Sequence, residues 1–510
     1  MSKQKKIVVY YTNDLHGRLS THDDEELSIG IDKISKVVNL SLLKNKNTFW
    51  LDAGDFTHGT PRMTFGDLDS LIKTLNATHL NAICTGNHDY NITMDNLLKL
   101  AKELKLQILS ANTINKDNGI PALLPYMIYT ADLNQDDSIG KEGNSNDSQL
   151  EDIKIGVFGL STPETAYKTN PNNVKDVIFA NPIETAKNMV RLLRNNCDMI
   201  IALTHLGLDD SSEFTSKRLA EEVDGIDLIV DGHSHTELKH GLKVKNTLIV
   251  QTGAHGHYLG RAVITFKDKM ITKMTTRLLD ETSVDKYIKN PDSYIENRLD
   301  EIDTVTNLAL NKVIAHTERE LIGEREIVRQ KESEIGNFFS DALRWKTKAD
   351  IAILNGGTIR TGLPKGDITF KDIISVFPFN NTIQMAEISG KLIKEMLEHS
   401  VFSVPASFGG FLSVSGMTFS FDSKEPIGNK VKEIMVGNEP IDENKIYTIA
   451  TADFLFVGGD DYSMLKGLKL IGDFGALENT ISEYLNEVGI IDSSIKLGRI
   501  IKKKSPIYLG

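Results

Sequence analysis

Leu80-Asn81-Ala82-Ile83-Cys84-Thr85 runs directly into Gly86-Asn87-His88-Asp89. The apolar run is short and reads as a buried strand. Gly86 permits a turn that a side chain would hinder. Asn87 and His88 then sit together at the carboxyl end of that strand, the place where ligands bind in open α/β sheets. An amide oxygen is a hard ligand, and an imidazole can bind a metal or present an N–H to a phosphate. A Gly-Asn turn by itself needs no chemical role, so the reading rests on four further stretches of the same kind.

Those stretches lie on both sides. Ile7 to Tyr11 is a strand followed by Thr12-Asn13-Asp14-Leu15-His16-Gly17, and Thr48 to Leu51 is a strand followed by Asp52-Ala53-Gly54-Asp55. Further on, Asp198 to Leu203 ends in Thr204-His205, and Ile226 to Val230 ends in Asp231-Gly232-His233-Ser234-His235. Helical spacing over 29–43, 68–76, 94–104 and 182–195 alternates with these strands, which predicts a layered α/β domain. Five strand ends therefore deliver Asp14, His16, Asp55, Asn87, His88, His205, His233 and His235. In an extended segment residues two apart point the same way, so Asp14 and His16 are expected to share one ion, and likewise His233 and His235. Carboxylate, amide and imidazole donors suit Zn, Mn, Fe or Co. Asp55, with two carboxylate oxygens, is the candidate to bridge two ions. Two cations about 3.5–4 Å apart polarise the oxygens of a phosphate ester and acidify a bound water. An imidazole beside the leaving oxygen steadies its developing charge. His22, His58, His79 and His240 carry no such pattern and read as surface or packing residues. His255 and His257 follow a strand end and can line the same cleft.

The chain has 510 residues, enough for two or more domains. Its formal charge of −12 argues against nucleic acid or an acidic membrane as partner. Cys84 and Cys197, the two cysteines, lie in apolar runs and make no disulfide framework. The opening apolar run is too short for a signal segment, and no run approaches the length of a membrane span, so the expectation is a cytoplasmic protein. An extracellular chain trimmed of its signal would read the same. Residues 132–152 are polar and read as an insertion without chemistry. Residues 285–310, charged with spaced apolar positions, read as a helical connector. The second half again alternates strands and helices. Within it Asn355-Gly356-Gly357-Thr358-Ile359-Arg360 joins a glycine turn to a planar cationic fork. Phe377-Pro378-Phe379 and Phe454, the latter ahead of Gly458-Gly459-Asp460-Asp461, offer rings that could clamp a planar base.

Taken in order, Asp-x-His, Gly-Asp, Gly-Asn-His-Asp, Thr-His and Gly-His-Ser-His resemble the calcineurin-like metallophosphoesterases, and within them the 5′-nucleotidase family. The resemblance covers nearly the whole chain. It implies an N-terminal four-layer metallophosphoesterase sandwich at 1–285, a helical connector at 286–311 and a C-terminal α/β substrate-binding domain at 312–510. It implies two divalent ions, one held by Asp14, His16, Asp55 and His235, the other by Asp55, Asn87, His205 and His233. His88 is implied as the transition-state imidazole. Where the 5′-nucleotidases place an aspartate three residues after that histidine, this chain has Asn91, which cannot hold an imidazolium by charge. Asn91 resembles the cyclic-phosphodiesterase branch instead. Base stacking is implied at Phe379 and Phe454, and polar substrate contacts at Arg329, Asn355, Arg360 and Asp460. A rotation of the second domain, with reaction in the closed state, is also implied. The leading expectation is a hydrolase acting on nucleoside 5′-monophosphates. A 2′,3′-cyclic-nucleotide phosphodiesterase with 3′-nucleotidase activity, a UDP-sugar hydrolase and a nuclease on the same metal fold are the alternatives.

Overall fold

The computed structural model describes residues 5–21, 28–132, 152–210, 212–379, 381–492 and 495–503. His22 and most of the polar insertion fall outside the described residues. The chain divides into two compact units, Met1–Thr306 and Asn307–Gly510.

The first unit is built on two six-stranded sheets. One runs in the order Met270–Leu279, Leu259–Lys267, Lys5–Thr12, Thr48–Asp52, Ala82–Cys84, Gln107–Leu109. Its last four strands are parallel. The other runs Leu242–Val244, Thr247–Val250, Leu228–Val230, Met199–His205, Ile153–Ser161, Tyr126–Ala131. Alternate residues of each strand face opposite ways, and the sequence uses both faces. Ile7, Val9, Tyr11, Leu51 and Cys84 meet Ile155, Val157, Ile201, Leu203 and Val230 between the sheets. Val8, Tyr10, Trp50, Ile83 and Ile108 pack outward against the helices Ile31–Lys44, Leu68–Leu75 and Met94–Glu103. Phe158, Leu160, Ile200 and Ile229 do the same against Pro182–Arg194 and Ser216–Glu222. The result is helix, sheet, sheet, helix, the four-layer sandwich expected. Near-continuous apolar runs are what parallel strands covered on both faces require.

The strand before the Gly-Asn-His-Asp turn is shorter than its apolar run, Ala82–Cys84. Asn81 is diverted at its start, where its side-chain oxygen accepts the Trp50 N–H at 2.8 Å. The helix inside the expected connector is Ser293–Leu310. Glu281–Asp285 and Ser293–Leu310 are separate helices, and Pro291 lies in the gap, where its missing N–H and fixed φ break a helix. Ile295 and Leu299 of the second helix join the helix-side core of the first unit.

The second unit centres on a five-stranded sheet in the order Leu412–Ser415, Ile351–Asn355, Ile446–Ala452, Thr382–Ser389, Leu470–Ala476. Ala352 and Leu354 face the helices Glu334–Thr347 and Leu477–Val488. Ile351 and Ile353 face Gly390–Val401 on the other side. Among the described residues no helix is long and apolar enough to cross a membrane.

Candidate metal centre

The strand ends at one edge of the first unit converge. Asp14, His16 and His235 form one cluster of ligand atoms, and Asp14, Asp55 and His205 a second. His235 Nε2 lies 3.4 Å from Asp14 Oδ1, and His205 Nε2 lies 3.1 Å from Asp55 Oδ2. His16 Nε2 is 3.2 Å from His235 Nε2 and 4.0 Å from Asp55 Oδ2. The reason Asp14 and His16 share a cluster is not strand alternation, as the spacing suggested. Asp14, His16, Asp55, His233 and His235 all take positive φ, between 48° and 80°. Each is a loop residue in the left-handed region, which a side chain other than glycine adopts at a cost and which concentrates at functional sites. The shared direction therefore comes from looped backbone after the strands have ended.

Backbone and side-chain bonds hold these loops. Asp14 accepts the His233 N–H and the Asn13 side-chain amide, and Asn13 in turn accepts from Thr252. Asp55 Oδ1 accepts the His88 N–H at 2.8 Å. Asp89, to which the sequence reading gave no part, accepts the backbone N–H groups of Asp55, Phe56, Thr57 and Gly86 and so ties two ligand loops together.

The donor set fits a divalent metal. Asp14 and Asp55 are buried carboxylates, and buried charge is costly unless paired. His205 donates Nδ1–H to the Ala53 carbonyl at 2.7 Å, which leaves Nε2 facing the carboxylates, 3.1 Å from Asp55 Oδ2, and Asn87 Oδ1 is buried without a hydrogen-bond partner. Burial works against charge on His205, yet Asp55 and Asp14 outweigh it and raise its pKa to about 10. Burial likewise pushes Asp55 up, and His205 and His88 more than reverse that, holding it well below the usual carboxylate range. A field that draws a proton this strongly draws a cation too.

His233 stands beside both clusters rather than in one. Its ring centroid is 5.1 Å from that of His205, and its Nε2 lies 3.1 Å from Glu164 Oε2. Asn87 donates its side-chain amide to the Lys168 carbonyl at 3.1 Å. His88 has its Nδ1 3.2 Å from Asn91 Nδ2, and Thr169 donates to Asn91 Oδ1 at 2.7 Å. His58, read as a packing residue, stacks on His88 with centroids 5.1 Å apart and planes within 8°. Burial, then the neighbouring His88, pushes the His58 pKa down to about 3. His255 lies edge-on to His16 and His235 at 5.6 and 5.9 Å. Their spacing hid His58 and Glu164; only the fold brings them in.

The second unit gathers its own polar group. Asn355 donates to Asp460 Oδ2 at 2.8 Å and accepts from Thr358 at 2.5 Å. Burial and the charges of Arg325 and Arg360 lower the Arg329 pKa, with Asp460 opposing, so these side chains sit within electrostatic reach of one another. The Arg360 guanidinium lies over the Phe379 ring at 5.6 Å. Phe379 and Phe454 are 50% and 38% exposed, unusual for rings of this size.

A four-layer sandwich that presents aspartate, histidine and asparagine from successive strand ends defines a calcineurin-like phosphoesterase, and residues 7–237 match the sequence model of that family. Residues 313–467 match that of the 5′-nucleotidase C-terminal domain. The chain belongs to the 5′-nucleotidase family of calcineurin-like metallophosphoesterases. It is 31% identical to the trifunctional nucleotide phosphoesterase protein YfkN of Bacillus subtilis, across 97% of this chain but only 35% of that protein. It is 28% identical to the 5′-nucleotidase of Diplobatis ommata, across 97% of this chain and 90% of the relative. Among solved structures it is similar to the 5′-nucleotidase precursor of Thermus thermophilus, with TM-score 0.55 and 27% identity, covering 98% of this chain and all of that one. The Haemophilus influenzae NAD nucleotidase shares the fold, with TM-score 0.75, 20% identity and coverage of 98% and 100%. The family implies divalent metal ions, in keeping with the donor set.

Proposed function

We propose that the protein hydrolyses nucleotide phosphoesters, with nucleoside 5′-monophosphates as the substrate class, using two divalent ions. One observation carries the reading. Asp14, Asp55, His16, His205 and His235 crowd their ligand atoms into two clusters that share the buried Asp14 carboxylate, with Asp55 Oδ2 3.1 Å from His205 Nε2 and 4.0 Å from His16 Nε2. Asp14, His16, Asp55, His205 and His235, with Asn87 and His233 beside them, would hold the ions. When bound, such ions polarise the phosphoryl oxygens and acidify water.

The chain's own residues supply the rest. His88 is held by the Asp55 carboxylate through its backbone, by Asn91 through Nδ1 and by the stacked His58 ring. That leaves Nε2 to face a leaving-group oxygen and share a proton with it as the P–O bond breaks. In the second unit Phe379 and Phe454 would stack the base, with Arg329, Asn355, Arg360 and Asp460 as polar contacts. The connector reading, 286–311 between a metal domain at 1–285 and a substrate domain at 312–510, belongs to this proposal.

A second reading is favoured by Asn91. Its amide, where a carboxylate would hold an imidazolium by charge, suits opening of 2′,3′-cyclic nucleotides followed by removal of the phosphate. Phosphate release by the purified chain with Mn²⁺ ranks the two readings across AMP, UMP, 3′-AMP, 2′,3′-cyclic AMP and UDP-glucose. Turnover of AMP and UMP above the others supports the first. No phosphate from any of the five overturns both.

A further inference from the structure

The stretch Thr162-Pro163-Glu164-Thr165-Ala166-Tyr167-Lys168-Thr169 follows the strand Ile153–Ser161. Its first half is a short 3₁₀ turn, Pro163–Ala166, capped by Thr162. From this one stretch three groups reach three different site residues. Glu164 Oε2 lies 3.1 Å from His233 Nε2. The Lys168 carbonyl accepts the Asn87 side-chain amide at 3.1 Å. Thr169 donates to Asn91, the partner of His88.

The contact at His233 has a direction. A carboxylate oxygen only accepts and the Lys168 ammonium, 3.2 Å from the same His233 Nε2, only donates; Lys168 Nζ is closer to Glu164 Oε2, at 2.6 Å, and gives its proton there, so His233 Nε2 turns its own N–H to the carboxylate. Lys168 Nζ, 2.6 Å from the same Glu164 oxygen, keeps that carboxylate anchored. With Nε2–H donated to Glu164, His233 has Nδ1 to offer as a ligand, and among the described residues Nδ1 makes no hydrogen bond. His205 shows the mirror arrangement, Nδ1–H donated to the Ala53 carbonyl and Nε2 left for a metal. A metal-binding histidine commonly donates its other N–H to a carboxylate or carbonyl, which sets its tautomer and its angle. Asn87 is set the same way: its amide N–H₂ is spent on Lys168, and its buried Oδ1 is left without a partner.

We propose that Glu164, anchored by Lys168, is a positioning residue for the second metal ion: it fixes His233 with Nδ1 turned to the ion. This rests on the two-ion reading above. The test is titration of the metal-free full-length chain with Mn²⁺ by isothermal calorimetry, for wild type, Glu164→Ala, Glu164→Gln and Lys168→Met. The expectation is two Mn²⁺ in wild type. In Glu164→Ala the tighter site should be unchanged and the weaker one lowered about 10- to 100-fold, the usual effect of removing such a partner. Glu164→Gln, whose amide oxygen can still accept Nε2–H, should lie between, and Lys168→Met should weaken the same site less than Glu164→Ala. Melting of each metal-free variant at the wild-type temperature excludes misfolding. If Glu164→Ala misfolds, Glu164→Gln carries the test alone. Two sites with wild-type affinities in the Glu164 variants, or equal weakening of both, would overturn the role of Glu164. A wild-type chain that binds one Mn²⁺ would instead overturn the two-ion reading itself.

Discussion

Replacing Gly86 by alanine places one methyl group where two ligand loops touch. A Cβ on Gly86 would stand 2.2 Å from Asp55 Oδ1 and 2.6 Å from the Asp55 backbone nitrogen. Ordinary contact begins near 3.4 Å, so the Asp55 carboxylate must retreat by roughly 1 Å. It cannot do so cheaply, because Asp55 Oδ1 also accepts the His88 N–H, and the Asp55 N–H is held by Asp89. Overpacking of this kind costs about 1–3 kcal/mol, a fraction of the ~5–15 kcal/mol of a typical fold, so the variant should still fold. A displacement of about 1 Å at a reacting centre costs on the order of 10²-fold in rate. Gly86→Ala should therefore show a cooperative melt at somewhat lower temperature, weaker Mn²⁺ binding, and kcat/KM for AMP down about 10²-fold. Thermal melting, calorimetry and phosphate release read the three. A Gly86→Ala chain with wild-type Mn²⁺ affinity and wild-type turnover would refute the placement of Asp55 at the centre.

Three further outcomes follow from the same geometry. His88→Ala should slow turnover about 10²–10³-fold with Mn²⁺ stoichiometry unchanged, because it removes charge stabilisation and no ligand; calorimetry beside steady-state kinetics checks both halves. Phe379→Ala and Phe454→Ala should each raise KM for AMP roughly 5- to 100-fold at similar kcat, the worth of one stacked ring. Glu478 links stability to pH: burial, with Asp453 beside it, raises its pKa from 4.5 to about 7, and its Oε2 is buried without a partner. Between those values the folded chain keeps a proton that the unfolded chain releases, so stability falls as pH rises through that window, by about 3 kcal/mol in all. Glu478→Gln should flatten that decline in denaturant melts across pH 4 to 8.

Much of the candidate metal site was legible because parallel strands covered on both faces write themselves as apolar runs, and each run stops where its loop carries a candidate ligand. Ile7 to Tyr11 and Ile226 to Val230 show this directly. The mechanism of convergence was not legible. Asp14 and His16 share a cluster through left-handed backbone, which no alternation rule anticipates. Glu164 and His58 escaped because each gains its meaning from a partner far off in sequence, His233 for one and His88 for the other. Asp89 stood within the deciding tetrapeptide, yet its part is to receive backbone N–H groups from the loop of Asp55. The connector's helix, Ser293–Leu310, starts later than the charged run suggested, because Pro291 breaks a helix just ahead of it.

Anomalous diffraction from crystals of the full chain grown with Mn²⁺ tests the central claim most directly. Two peaks are expected, about 3.5–4 Å apart, one against Asp14, His16 and His235 and the other against His205, Asn87 and His233, with Asp55 between them. No peak there, or peaks only at other acidic side chains, would contradict it.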